Sequence, residues 1–417
     1  MRLRLIVVPW YAVMIAASPA STHQFDLGVD QTIEGQSNAF GSIGDTVADG
    51  TYRLRPRANI SGDFGDIGTG RYNLTYRPSY VGYFRSEGVN GLENAADGFA
   101  SFNLTQRDRL SANAGFVEYR SIRAISEVNP DGSADFVASN EGRTERGLAG
   151  LGYSRALNAR SNLSLNFDFQ NYSYPGSNNV GNTAVGFTTS YKRAMHQRLS
   201  LGGSLVARHR MFDAQPRVSS SSVTIINVNF LGSYEISRTL KFEFEGGPTT
   251  IRTQPGRVDN GPEPESDTDT TYFMDLSLRR DLKKVKWRVN YRRNEDPSGG
   301  TSRTSVNDSV SLALSLDPNE LWEMVGRLGW SRRTTVDNVL FIDPITGLIV
   351  PATRDFRIDQ VWTSLEATRR LDDRVHLRMR IRYQRWIEHL VNGVSQPKQD
   401  NFSGSITLNY DFDPYVF

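Results

Sequence analysis

No cysteine occurs in the 417 residues. Disulfide frameworks, thiolate metal sites and thiol redox chemistry are therefore excluded, and a thiol-free chain suits export into an oxidising compartment. Net charge is scarce as well: 48 Lys and Arg stand against 46 Asp and Glu, leaving +2. Nucleic-acid binding draws on a concentrated basic surface that such a balance does not supply, so no nucleic-acid partner is expected. The five histidines, His23, His196, His209, His376 and His389, show no metal-ligand spacing. Neither a metal nor a cofactor is expected. Long apolar runs are also missing beyond the N-terminus, with a hydrophobic fraction of 38% and a mean hydropathy of −0.46. A membrane helix needs about 18–20 consecutive apolar residues, so any later span has to be made of strands.

What is present begins with a short leader. Arg2 and Arg4 form a basic start, Leu5 to Ala17 an apolar stretch, and Ser18-Pro19-Ala20 a group of small residues. That order is expected of a cleaved signal peptide over 1–20, with the mature protein over 21–417.

From Phe25 onward one pattern recurs: about ten residues of apolar/polar alternation, then a turn. Tyr52, Leu54, Pro56, Ala58 and Ile60 share one face of a strand, while Arg53, Arg55, Arg57 and Asn59 share the other. Tyr72, Leu74, Tyr76, Pro78 and Tyr80 alternate likewise with Arg71, Asn73, Thr75, Arg77 and Ser79. The same alternation marks the stretches from Leu163, Leu240, Val285, Val375 and Ser405. Short turns near Gly65–Gly70, Gln106–Asp108, Leu157–Arg160, Ala194–Gln197, Ile236–Arg238, Asp281–Lys283, Asp317–Glu320 and Leu371–Asp373 alternate with longer polar loops such as Ser121–Arg146, Thr253–Thr270 and Thr334–Phe356.

Sustained period-two patterning with this asymmetry predicts an all-β fold. It is a single transmembrane, antiparallel, up-and-down β-barrel of about eighteen strands, with short periplasmic turns and long extracellular loops. The first strand, around Phe25 to Ile33, is expected to close against Asn401 to Phe412. The location implied is the outer membrane of a Gram-negative bacterium, with its lipid as the surrounding partner. Tyr83, Phe84, Tyr119, Tyr172, Tyr291, Trp330 and Trp386 are expected in an outer aromatic girdle, and Tyr153, Tyr191, Tyr234, Tyr410 and Phe412 in an inner one. The terminal Phe417 resembles the aromatic signal read by the outer-membrane insertion machinery.

By the same parity, Arg53, Arg55, Arg57, Arg71, Arg77, Arg288, Arg292, Arg378, Arg380 and Arg382 are the basic residues expected to line the pore, with Glu243, Glu245 and Asp275 among the acids. The balance reads as positive inside. The Arg53–Arg57 and Arg378–Arg382 runs, close across the seam, are expected to form one basic wall that concentrates anions.

The run Thr51-Tyr52-Arg53-Leu54-Arg55-Pro56, the Tyr72-to-Tyr80 strand, Phe244-Glu245-Gly246-Gly247-Pro248 and Asn307-Asp308-Ser309-Val310-Ser311-Leu312 resemble the beta-barrel porin type 2 group of outer-membrane proteins. That group includes barrels associated with exopolysaccharide export. The resemblance implies passage of a polysaccharide, an acidic one given the basic lumen, delivered by a separate periplasmic export component. A general or anion-preferring diffusion porin is the alternative reading.

Three further signals are weaker. Gly147, Gly150 and Gly152 precede no helix, which argues against a phosphate loop. His376 with Ser364 or Ser405 lacks a specified third group, so no enzyme is expected, although a barrel-borne hydrolase is a third reading. Glu265-Ser266-Asp267-Thr268-Asp269 fits no EF-hand and reads as a solvated loop. The apolar runs around Pro344–Gly347 suggest a hairpin in an outer loop, with extension of the barrel wall as the default.

Overall fold

The computed structural model describes residues 23–37, 48–64, 70–85, 90–121, 126–128, 134–136, 142–175, 180–214, 219–257, 265–297, 304–335, 338–342, 349–353, 356–390 and 399–416. The expected signal peptide, the terminal Phe417 and the Pro344–Gly347 turn lie outside them.

Eighteen strands form the wall. They are β1 (His23–Gln36), β2 (Asp49–Phe64), β3 (Gly70–Tyr83), β4 (Gly91–Asn103), β5 (Asp108–Ser121), β6 (Gly142–Asn158), β7 (Ser161–Ser173), β8 (Asn182–His196), β9 (Leu199–Phe212), β10 (Ser221–Glu235), β11 (Leu240–Gln254), β12 (Asp267–Asp281), β13 (Val285–Pro297), β14 (Thr304–Asn319), β15 (Trp322–Thr335), β16 (Phe356–Arg370), β17 (Val375–Leu390) and β18 (Gln399–Asp411). Each pairs antiparallel with its sequence neighbours, and β1 also pairs with β18 from Gly28↔Asp411 to Gln36↔Ser403. Closure removes the free edges that lipid could not hydrogen-bond. The eight connections at one end, among them Asn158 to Ser161 and Asn319 to Trp322, are much shorter than those at the other. The asymmetry read from the sequence is the asymmetry of the fold.

The two faces of the wall are set by cross-strand register. Leu27 pairs with Ala58, Leu54 with Tyr80 and Ile406 with Ile33, so apolar side chains form continuous rows on one face. That face is convex. Leu92, Leu365 and Ile406 are 62%, 64% and 58% exposed on it, an apolar surface that water would not tolerate and lipid would. The other face is concave, as contacts that skip a strand prove. Arg57 of β2 binds Asp411 of β18 over Gly28 of β1, and Arg208 of β9 lies 3.9 Å from Asp168 of β7 over Gly186 of β8. Strands lie about 4.8 Å apart, so side chains meet across an intervening strand where the sheet curves them together. The wall bends sharply at β9 and β11: a Cβ at Gly202 or Gly247 would overlap the carbonyl oxygen of Tyr191 or Val228.

Two features depart from the sequence reading. First, only part of the expected outer girdle is on the convex face. Phe84, Tyr291 and Trp330 share parity with the apolar rows, but Tyr83, Tyr119, Tyr172 and Trp386 pair with Thr51, Thr144, Arg146 and Gln360 on the concave side. They lie at the right height on the wrong face. Second, the concave face is not polar throughout. Phe212, Val223, Ile225 and Ile251, near the long-loop ends of β9–β11, form a buried apolar cluster with Val180. Among the loops, 338–342 and 349–353 pair as the expected hairpin, but in a sheet of their own and not hydrogen-bonded into the wall.

Candidate pore lining

All ten expected arginines fall on the concave face. On β2, alternation sends Arg53, Arg55 and Arg57 inward together, opposite Thr32, Asp30 and Gly28 of β1. Arg53 lies 3.5 Å from Glu93, which also accepts a 3.1 Å hydrogen bond from the Ser79 hydroxyl. Arg57 donates to Asp411. On β3, Arg77 donates to Asp97, and Arg71 faces Ser101 of β4. On β17, Arg380 Nε donates to Glu366 at 2.7 Å, while Arg378 lies 3.7 Å from the same carboxylate. Arg382 sits between Ser364 and Ser403. On β13, Arg292 lies 3.7 Å from Asp275, and Arg288 faces Arg279 on one side and Ala313 on the other. The expected acids are engaged as well. Glu243 lies 2.6 Å from Lys241, and Glu245 accepts 3.0 Å hydrogen bonds from Ser204 and Asn229.

The expected single basic wall across the seam is not there. Between β17 and β2 stand β18, with Asp411, and β1, whose concave side chains include Asp26, Asp30 and Glu34. Glu93 and Asp97 of β4 add two more acids beside the β2 and β3 arginines. These five carboxylates escaped the sequence reading because β1 and β4 alternate weakly and their polar face was not resolved from within the strand. The concave face is therefore mixed in sign, with arginines and carboxylates largely interleaved. Six guanidinium groups are exceptions: among the described residues, Arg55, Arg71, Arg109, Arg146, Arg288 and Arg327 have no carboxylate within ion-pair distance.

The other candidate chemistries find no support in the geometry. His376 lies 3.9 Å from Asp411, but its cross-strand partner is Asn409, whereas Ser405 pairs with Arg380 and Ser364 with Arg382. No serine hydroxyl reaches the imidazole among the described residues. Gly147, Gly150 and Gly152 lie inside β6. No group of three or more metal-capable side chains occurs among the described residues.

No family model matches the chain, and no curated protein matches it by sequence. Solved structures do resemble it. The FrpB iron transporter of Neisseria meningitidis, F5-1 variant in its apoprotein form, aligns with a TM-score of 0.52 at 8% identity, over 93% of this chain and 81% of that one. The F3-3 variant aligns at 0.51, with the same identity and coverage. Identity this low speaks to fold alone. Together with the lipid-type exterior, it makes the chain a large β-barrel of the Gram-negative outer membrane.

Proposed function

We propose that the barrel is a passive outer-membrane pore through which an acidic exopolysaccharide leaves the cell. The observation that carries this reading is the set of concave guanidinium groups with no ion-paired carboxylate among the described residues, Arg55, Arg71, Arg109, Arg146, Arg288 and Arg327, inside a wall of eighteen strands. Barrels of sixteen to eighteen strands are wider than their side chains can fill and hold an aqueous channel. An arginine without a carboxylate in such a channel attracts anionic groups from solution and holds them weakly enough to release them. The resemblance carried by the Thr51–Tyr80, Phe244–Pro248 and Asn307–Leu312 motifs supports a polymer in preference to small solutes. A polymer has to be brought to the periplasmic rim, which assigns delivery to a separate periplasmic component. Residues 1–20, as a cleaved signal peptide, and the outer-membrane insertion machinery account for how the chain reaches its place.

The test is conductance of the purified protein in planar bilayers, with oligogalacturonate or neutral maltooligosaccharide added to either side. The expected result is an open channel that passes chloride more readily than potassium and is blocked by the acidic fragments alone. A channel indifferent to both sugars would replace this reading with that of a small-anion diffusion porin. Absence of conductance would overturn the open pore itself.

A further inference from the structure

Two of the concave cations without an ion pair among the described residues, Arg288 and Arg327, belong to one row of basic residues. Register places Lys241 of β11 opposite Arg279 of β12, and Arg279 opposite Arg288 of β13. The same row continues through Ala313 to Arg327 of β15, and through Ser364 to Arg382 of β17. Within a strip seven strands wide, the row is basic at every strand except two, where Ala313 and Ser364 stand, and it contains no acid. It climbs from the short-turn rim at β11 to mid-height at β17.

Carboxylates offset the short-turn end of the row and the cations flanking it, and leave out its centre. Glu243 is held by Lys241 at 2.6 Å, Glu366 by Arg380, and Asp317 by Lys286 at 3.4 Å. Asp281 is 4.0 Å from Arg279, at the limit of an ion pair. Arg288 and Arg327 have no such neighbour among the described residues. Like charges directly opposite on adjacent strands destabilise a sheet, so Arg279 facing Arg288 gives the fold nothing. Lys241, Arg279 and Arg288 stand on neighbouring strands about 4.8 Å apart, inside a Debye length of about 8 Å, so their fields add, and Arg327 and Arg382 each follow at two strands, about 10 Å.

We infer that Lys241, Arg279, Arg288, Arg327 and Arg382 form an anion-selecting half-ring, the element of this wall that decides which charges pass. The inference rests on the reading of the barrel as a pore and locates its selectivity. The ligand class is the carboxylate, phosphate or sulfate group of a passing solute, bound transiently by guanidinium. Arg53 and Arg57 of β2 and Arg378 and Arg380 of β17, conspicuous in the sequence, contribute less because Glu93, Asp411 and Glu366 offset them.

The experiment compares two triple variants of equal charge change. Arg279→Gln/Arg288→Gln/Arg327→Gln removes the centre of the half-ring. Arg71→Gln/Arg109→Gln/Arg146→Gln removes three concave arginines from the opposite wall. The reversal potential in a potassium chloride gradient gives the chloride-to-potassium permeability ratio. The half-ring variant is expected to lower that ratio roughly threefold or more, and the opposite-wall variant by well under half as much. Heat-modifiable gel mobility establishes that each barrel is folded. If the triple variant does not fold, Arg288→Gln alone is expected to show a graded part of the same loss. Equal losses from the two walls, or no loss from the half-ring, would overturn the half-ring while leaving the pore reading in place. A folded wild-type barrel without conductance would overturn both.

Discussion

The same pair of residue types, arginine and carboxylate, is arranged differently on the two faces of this wall. On the convex face near the long-loop ends, Arg332 and Arg357 both donate to Asp359, at 2.9 and 2.8 Å. Arg293 donates twice to Asp308, at 3.1 and 3.0 Å, and Arg385 donates to Asp400 at 2.8 Å. Aromatic rings complete these clusters: Arg293 lies 4.4 Å from the centre of the Tyr272 ring and Arg332 lies 5.1 Å from that of Trp330. On the concave face several pairs are looser. Arg53–Glu93 spans 3.5 Å, Arg292–Asp275 3.7 Å and Arg208–Asp168 3.9 Å, and Arg288 and Arg327 have no ion pair among the described residues. The difference follows the solvent. A charge beside hydrocarbon has to bring its counter-ion, whereas a charge beside water does not. Where this barrel leaves an arginine unpaired inside, folding did not require a partner, and solutes can take that place.

The largest effect is expected where the comparison is broken on the lipid side. Asp359→Ala removes the shared acceptor of Arg332 and Arg357 and leaves two guanidinium groups at the apolar boundary. Stranding a partly buried charge of this kind costs about 2–4 kcal/mol. The midpoint of urea unfolding in lipid vesicles, followed by gel mobility, should fall accordingly. An unchanged midpoint would mean that the convex clusters face water and that the apolar band ends lower on the wall.

Much of this arrangement was legible in the sequence, and the boundary of what was legible is physical. Alternation within a strand is a local property, so the eighteen strands, the seam between β1 and β18 and the inward parity of Arg53, Arg288 and Arg380 followed from the chain alone. Alternation does not report which residue lies opposite. The pairing of Arg279 with Arg288, or of Arg53 with Glu93 on a strand two away, depends on register and stagger, which only the closed barrel sets. Where both faces are apolar the signal vanishes. Val223, Ile225 and Ile226 put apolar side chains on both faces of β10, so the concave cluster with Phe212 and Ile251 leaves no alternating signal. Tyr83 and Trp386 illustrate the converse error: height along the strand was read correctly, but face was not.

Inside the barrel a smaller and different response is expected. Glu366→Gln removes the carboxylate that engages Arg380 and Arg378. Arg380 is 47% exposed at its side chain and faces the lumen, so water can take the carboxylate's place, and the stability change is expected to be under about 1 kcal/mol. The permeability ratio is the sensitive quantity. With two arginines released beside the half-ring, chloride preference should rise by roughly twofold. A large stability loss with no change in selectivity would show that the lumen wall obeys the lipid-side rule, and the contrast between the faces would collapse.

The smallest effect belongs to a third setting, the short turn between β16 and β17, where neither lipid nor an arginine is needed. Asp372 accepts hydrogen bonds from the backbone N–H groups of Arg374 and Val375, both at 2.7 Å. These two amides, Arg374's first, favour the ionised carboxylate and hold its pKa below the usual aspartate range. A carboxyl depressed by folding contributes stability that is complete above its unfolded pKa of about 3.9 and is lost as pH falls through the folded value. The Arg374 and Val375 amide proton shifts should therefore titrate together with a midpoint below that of a free aspartate, and Asp372→Ala should abolish the titration with no change in conductance. A midpoint at or above the free value would show that the turn does not use the carboxylate. A matching midpoint would show that backbone amides in water satisfy a charge which, on the convex wall, takes two arginines.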